Sequence, residues 1–309
     1  MWIALALLVV LLALGGGAWF LLHAPRRPVP LVDGTLAHRQ LPTAPGQRFY
    51  DTYVPRELVP DAPLVIALHG SRQNPHDLRT LVGQALEQQA RVCGFAVAYP
   101  GAVAGGWRTG VAPAQDNDDA VFILALIEAM ADEHAIDTDR VFVLGYGNGG
   151  QMAYRLALTL PNQLAGVAVV AASLPVDAEP AWVHRVPPVP LLIINGTADR
   201  LNPFNGGVGG LFGFGQRAAV RSSRATAEYF AQLAQAHLDQ DETQAMHLAP
   251  RLAPMRCAWR NAQGVAVVLY GVKGAGHVLH QPYARQPRWL GAMNPGFDVA
   301  ACACEFWGV

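Results

Sequence analysis

The chain of 309 residues is 52% hydrophobic and 15% charged, so a large buried core is available and the composition is not that of a disordered chain. Its formal net charge is −1, with a single lysine (Lys273) among the arginines and no basic face or run, which argues against nucleic acid as a partner. Four cysteines (Cys93, Cys257, Cys302 and Cys304) are too few for a disulfide scaffold, although one bridge from Cys257 to the C-terminal pair is open to it outside the cytoplasm.

Residues 1–22 (Met1 to Leu22) carry no charge and approach the length of a bilayer span. A cleavable signal peptide is the competing reading, with a small-residue site after Ala18 in Gly15-Gly16-Gly17-Ala18. No Lys or Arg precedes the apolar run, and it continues through Trp19 and Phe20, so a retained single-pass anchor is preferred. Arg26 and Arg27 follow the span and bias that side weakly toward the cytoplasm. Residues 23–47 are rich in proline and lack apolar periodicity, as a tether would be.

The remaining residues, 48–309, alternate short apolar strands with helices. Strands are predicted at Arg48–Val54, Leu64–Leu68, Gly94–Tyr99, Arg140–Leu144, Leu164–Ala172, Leu191–Asn195 and Ala266–Tyr270. Helices are predicted at about His76–Val92, from Asp116–Asp119 through Glu133, from the turn after Leu144 to Leu160, at Ser222–Ala236 and from Phe297 to Trp307. This is the α/β class, a mostly parallel sheet covered on both faces, as in the α/β-hydrolase fold. Asp239–Glu242 reads as a solvated helix end. The Gly-rich stretch within 201–216 follows a loop and lacks a G-K-[ST] ending, so it reads as a mobile flap rather than a phosphate loop.

The chemistry concentrates at Gly145-Tyr146-Gly147-Asn148-Gly149-Gly150, between a β-branched strand and a helix. That context is the nucleophile elbow G-x-S-x-G, with Gly147 where the serine stands. In this fold the triad runs nucleophile, acid, histidine along the chain. Asp199, directly after a buried strand, fills the acid position, and His277, after the last strand, fills the histidine position. Backbone N–H groups of Ser71 and Asn148 are the expected oxyanion donors. Ser71 as a replacement nucleophile and His277-x-x-His280 as a metal site are both disfavoured by context, and no metal or cofactor is called for.

The segments Ala67-Leu68-His69-Gly70, Ala98-Tyr99-Pro100 with Gly106-Trp107, Asn148–Tyr154, Asn195–Asp199 and Val268–His277 occur in one order over residues 48–309. In these the chain resembles the α/β-hydrolase family of secreted feruloyl esterases and polyhydroxybutyrate depolymerases. The resemblance implies cleavage of carboxylic esters by a Ser–His–Asp triad without a cofactor, an exported domain, and His69 and Trp107 at the substrate cleft. Asp199 and His277 carry over; the serine does not. Three readings follow: a membrane-tethered pseudo-hydrolase that binds an ester or aryl-acid ligand, an esterase that uses water or an unrecognised nucleophile, and a partner-binding structural domain. They are preferred in that order.

Overall fold

The computed structural model describes residues 2–22, 32–43, 46–109, 118–176, 189–210 and 218–309. Among them, ten strands form one sheet in the order β1-β2-β4-β3-β5-β6-β7-β10-β9-β8. The centre is parallel: β4 (Ala96–Pro100), β3 (Ala62–Leu68), β5 (Ile136–Tyr146), β6 (Gly166–Val170), β7 (Leu191–Gly196) and β10 (Gly264–Val272). Antiparallel strands flank it, β1 (Gly34–Thr43) and β2 (Gly46–Pro55) on one side, β9 (Pro254–Asn261) and β8 (His237–Asp241) on the other.

Alternation along the central strands builds two cores. In β3, Leu64, Ile66 and Leu68 face one cluster with side chains of α4 (Asp118–His134), α5 (Asn148–Thr159) and α6 (Ser223–Leu233). Val65 and Ala67 face the other, with α2 (Pro75–Leu81), α3 (Ala85–Cys93) and α7 (Val299–Trp307). Every residue of β3, β4, β6 and β7 is buried, which is why these strands read as unbroken apolar runs. Because the six central strands are parallel, the loops after them leave from one edge, where α/β sheets place their sites.

Several expectations need correction. The tether expected over 23–47 gives way at Gly34 to β1, an edge strand paired with β2 along its length; residues 23–31 lie outside the described set. The helix expected over 76–92 is two helices. Asn74 and Asp77 close a capping box on α2, and positive φ at Gly83 and Gln84 breaks the chain before α3. Asp239 and Asp241 lie in β8, and Asp241 pairs with Arg224 at 2.6 Å rather than ending a helix. All four cysteines are free, and the Cys304 thiol lies against Cys93 instead of Cys257. Burial pushes the Cys257 thiol up to about 12.

The N-terminal segment forms α1 (Trp2–Leu22), 21 residues long without an acidic first turn or a basic last turn. Among the residues whose side chains are described, no helix is long and apolar enough to cross a membrane. The side chains of residues 3–9, 13, 14 and 18 lie outside that set.

Candidate active site

Gly147 joins β5 to α5 with φ 55° and ψ −115°, a conformation that L residues adopt only under strain. Its N–H donates to Val170 O at 3.0 Å, and its carbonyl accepts from Gln151 N at 3.1 Å, so the bend is held from both sides. Two positions on, a Cβ on Gly149 would overlap the Leu68 carbonyl, so only glycine lets the helix start this close to β3. A Cβ built on Gly147 would lie 3.2 Å from His277 Nε2. The elbow therefore aims its central residue at the imidazole, and that residue has no side chain.

The Asp199–His277 pair is fully formed. His277 Nδ1 lies 2.7 Å from Asp199 Oδ2, and both residues are buried. Asp199 Oδ1 accepts N–H bonds from Leu201 at 2.8 Å and Asn202 at 2.9 Å, which fixes the carboxylate in the loop after β7. With Nδ1 donating to the carboxylate, Nε2 is left as the acceptor facing Gly147. The main chain of His277 is pinned as well: its N–H donates to Leu290 O at 2.7 Å, and its carbonyl accepts from Tyr146 Oη at 2.9 Å. Tyr146 thus ties the residue before the elbow to the histidine, with its ring 5.1 Å from the imidazole. Spacing in the sequence gave no sign of this link, or of Leu290.

The loop after β3, which carries the expected oxyanion donor Ser71, is built around His69. Its Nε2 accepts Ala102 N–H at 3.0 Å, so the proton sits on Nδ1 and donates to Gly70 O at 2.8 Å. Burial lowers the His69 pKa, which keeps this neutral tautomer. Trp107 Nε1 donates to His69 O at 2.9 Å, and Trp107 N donates to Asn148 Oδ1 at 2.7 Å. Arg72 N donates to Gly105 O at 2.7 Å, so the loops after β3 and β4 and the start of α5 form one hydrogen-bonded unit. Asp119 steadies the same loop, accepting from Arg108 N and from Arg48, each at 2.7 Å. The N–H groups of Ser71 and Asn148 find no acceptor among the described residues, and Gly70 Cα lies 3.9 Å from the built Cβ of Gly147. Both expected oxyanion donors therefore flank the elbow with their N–H groups unused.

His69 and Trp107 were expected at the cleft wall. Both are buried, at 1% and 4% exposure, and all their polar side-chain atoms are engaged, so they brace the loop after β3 from behind. His277 and His280 do not share a ligand position, since His280 Nδ1 accepts Asn294 N–H at 3.0 Å in a buried setting. Of the Gly-rich stretch, residues 211–216 lie outside the described set. The part before them is held in place: Gly207 exchanges two hydrogen bonds with Val220, and Ser223 N donates to Phe204 O at 2.8 Å.

The architecture is that of an α/β-hydrolase, and the acetyl xylan esterase of Aspergillus awamori shares it. The two superpose with a TM-score of 0.61 over 88% of this chain and 99% of that one, at 14% identity, a likeness of fold alone. Sequence comparison finds esterases among the proteins the chain resembles. Residues 49–183 match the family model described as Esterase PHB depolymerase, which includes the elbow but ends before Asp199 and His277. The chain is 36% identical over 188 residues to "Putative esterase NocK" of Nocardia uniformis subsp. tsuyamanensis, covering 59% of this chain and 53% of that protein. It is 30% identical over 136 residues to the poly(3-hydroxyalkanoate) depolymerase C of Paucimonas lemoignei, covering 42% and 32% respectively. The chain thus spans about half or less of the length of these relatives.

Proposed function

We propose that the chain is a member of the polyhydroxybutyrate depolymerase and feruloyl esterase family that has lost its nucleophile, a pseudo-hydrolase that keeps the ligand cleft. The observation that carries this reading is Gly147, which holds the strained elbow conformation and faces His277 Nε2 without a side chain. Acyl transfer to the enzyme needs an oxygen there, and at Gly147 none is present; His277 presents an acceptor, and Ser71 and Asn148 present N–H donors. The ligand is a carboxylic ester or its acid, aryl or hydroxyacyl in type. Residues 1–22, uncharged throughout, anchor the domain to a membrane on its extracytoplasmic side.

Loss of a triad serine lowers kcat by about 10⁶-fold and leaves roughly 10³–10⁴ over water from binding and the oxyanion donors. The test is hydrolysis of a short-chain p-nitrophenyl ester by the parent and by Gly147→Ser. The expected result is an inactive parent and an active serine variant. A second reading, direct attack by a water activated by His277, draws on the free Nε2 acceptor beside two free donors. It requires a parent that is already active and that His277→Ala silences; that outcome would overturn the first reading.

A further inference from the structure

We infer that the chain has a second ligand site, a groove between the β1–β2 pair and the start of α2, and that it takes an uncharged aromatic molecule bearing a hydroxyl group. The groove holds about 600 Å³, within the range of small-molecule sites, and its walls include neither the elbow nor the Asp199–His277 pair. The inference goes beyond the proposed function and does not depend on it.

The strand pairing builds the walls. Phe49 and Asp51 project from β2 on the face that carries Tyr53 into the core beneath α2 and α3, while Tyr50 joins the core on the other face. β1 sets His38 opposite Asp51, and its imidazole lies within 10° of parallel to the Phe49 ring, with 5.5 Å between centres. Phe49 is nonetheless half exposed, as is Val103 in the loop after β4. Pro75, the first residue of α2, adds to the apolar lining. Gly101 keeps the space between them clear. A Cβ there would lie 3.2 Å from Phe49 O and 3.6 Å from Pro75 Cδ, so a side chain at this position would fill the gap between strand and helix. A half-open aromatic ring with apolar neighbours at one concave place suits a flat apolar ligand.

The polar groups select which flat ligand. His38 Nδ1 lies 2.7 Å from Asp51 Oδ1; with the proton on Nδ1, Nε2 is an acceptor, and no described residue donates to it. Asn74 spends its Oδ1 on Asp77 N–H at 3.0 Å and leaves its Nδ2 donor unused among the described residues. An acceptor and a donor together complement a hydroxyl, which gives one hydrogen bond and takes another. A carboxylate fares worse. Asp51 in the wall is itself an acid, and Arg48, the arginine of the lining, is buried and bound to Asp119 Oδ1 at 2.7 Å and to Gly101 O at 3.0 Å. The loop after β4 separates the groove from the elbow. Gly101, Ala102 and Val103 line the groove, whereas Trp107 N donates to Asn148 Oδ1 at the start of α5.

The test is fluorine NMR of p-fluorophenol with the full chain in detergent at pH 7, with detergent alone as the blank. p-Fluoroanisole, which keeps the ring but cannot donate, and p-fluorobenzoate, which is charged, are titrated alongside. Phe49→Ala should weaken both the phenol and the anisole by about two- to tenfold, the worth of an aromatic contact. His38→Phe keeps a stacked ring and removes the acceptor, so it should weaken the phenol by about two- to tenfold and leave the anisole unchanged. The benzoate should respond to neither variant. His38→Phe alone decides the matter if Phe49→Ala fails to fold. Phenol binding that is absent, or that survives these variants, overturns the inference, the second result by placing the phenol elsewhere on the chain. A benzoate that loses affinity in step with the phenol overturns it too, because the groove would then accept the charged ligand.

Discussion

Replacing Gly147 measures directly how much strain the elbow stores. At φ 55° and ψ −115°, a Cβ-bearing residue is strained by on the order of 1–3 kcal/mol. The loss of glycine's freedom in the unfolded chain offsets about 0.4–1 kcal/mol of that. The new Cβ also meets His277 Nε2 at 3.2 Å, closer than ordinary contact, so the imidazole must shift by a few tenths of an ångström. A serine hydroxyl can donate to Nε2 and recover about 0.5–1.5 kcal/mol; an alanine methyl cannot. The expected order of melting temperature is therefore parent, then Gly147→Ser, then Gly147→Ala. At roughly 2–4 °C per kcal/mol for a domain of this size, a net loss of about 1–2 kcal/mol puts Gly147→Ala about 2–8 °C below the parent. Scanning calorimetry of the three proteins settles the order. A serine variant as stable as the parent would refute the strain argument, and an alanine variant above serine would refute the hydrogen bond to His277.

Two further perturbations probe the groups behind the elbow. In the Gly147→Ser background, Asp199→Asn should reduce kcat by about 10⁴-fold with little change in fold, because the amide no longer fixes the His277 tautomer; steady-state hydrolysis that falls less than tenfold would deny Asp199 that role. His280 is buried and its pKa is pushed down to about 4 from an ordinary 6.5, so the native state holds it neutral. Its contribution is present above pH 6.5 and is lost as pH falls toward 4, by about 2 kcal/mol at pH 5. Urea midpoints at pH 7 and pH 5 should therefore converge in His280→Asn, which keeps an acceptor for Asn294 N–H; an equal pH dependence in parent and variant would count against it.

How far the sequence could be read follows from what each element buries. β3 and β7 are buried on both faces and announce themselves as apolar runs, and Asp199 and His277 follow from their chain order after such runs. β1 and β8 are edge strands with mostly exposed side chains, so polar residues interrupt any apolar pattern, and both were read as something else. The break between α2 and α3 turns on the left-handed conformation of Gln84, which no local preference of glutamine signals. Tyr146, Leu290 and the Asn148 side chain hold the site through contacts between residues far apart in sequence, and such contacts leave no periodicity to detect. Trp107 was legible as a residue near the site, but its burial behind His69 was not.

What the site can hold follows from the groups it leaves unpaired. Asp199 has its Oδ1 and Oδ2 satisfied by two N–H groups and the imidazole, so its charge is balanced locally and does not project toward Gly147. Beside Gly147 stand the N–H groups of Ser71 and Asn148, the latter at the positive end of the 12-residue α5. In an active esterase these donors serve the oxyanion that forms after serine attack. On the proposed pseudo-hydrolase reading, no such oxyanion forms with glycine in place, and the ligand with the most negative oxygen gains the most from them. A carboxylate therefore suits the site better than the ester it came from. A charge-assisted hydrogen bond contributes about 1.5–3 kcal/mol against roughly 0.5–1.5 for a neutral one, a difference of about 1–2 kcal/mol. One such difference is about tenfold in affinity. Titration calorimetry with an aryl carboxylic acid and its methyl ester should show the acid binding the parent about ten times more tightly. In Gly147→Ser the preference should narrow, because the hydroxyl crowds the second carboxylate oxygen. An ester that binds the parent as tightly as its acid would mean that the donors no longer face the ligand and that the cleft has lost its oxyanion site along with its nucleophile.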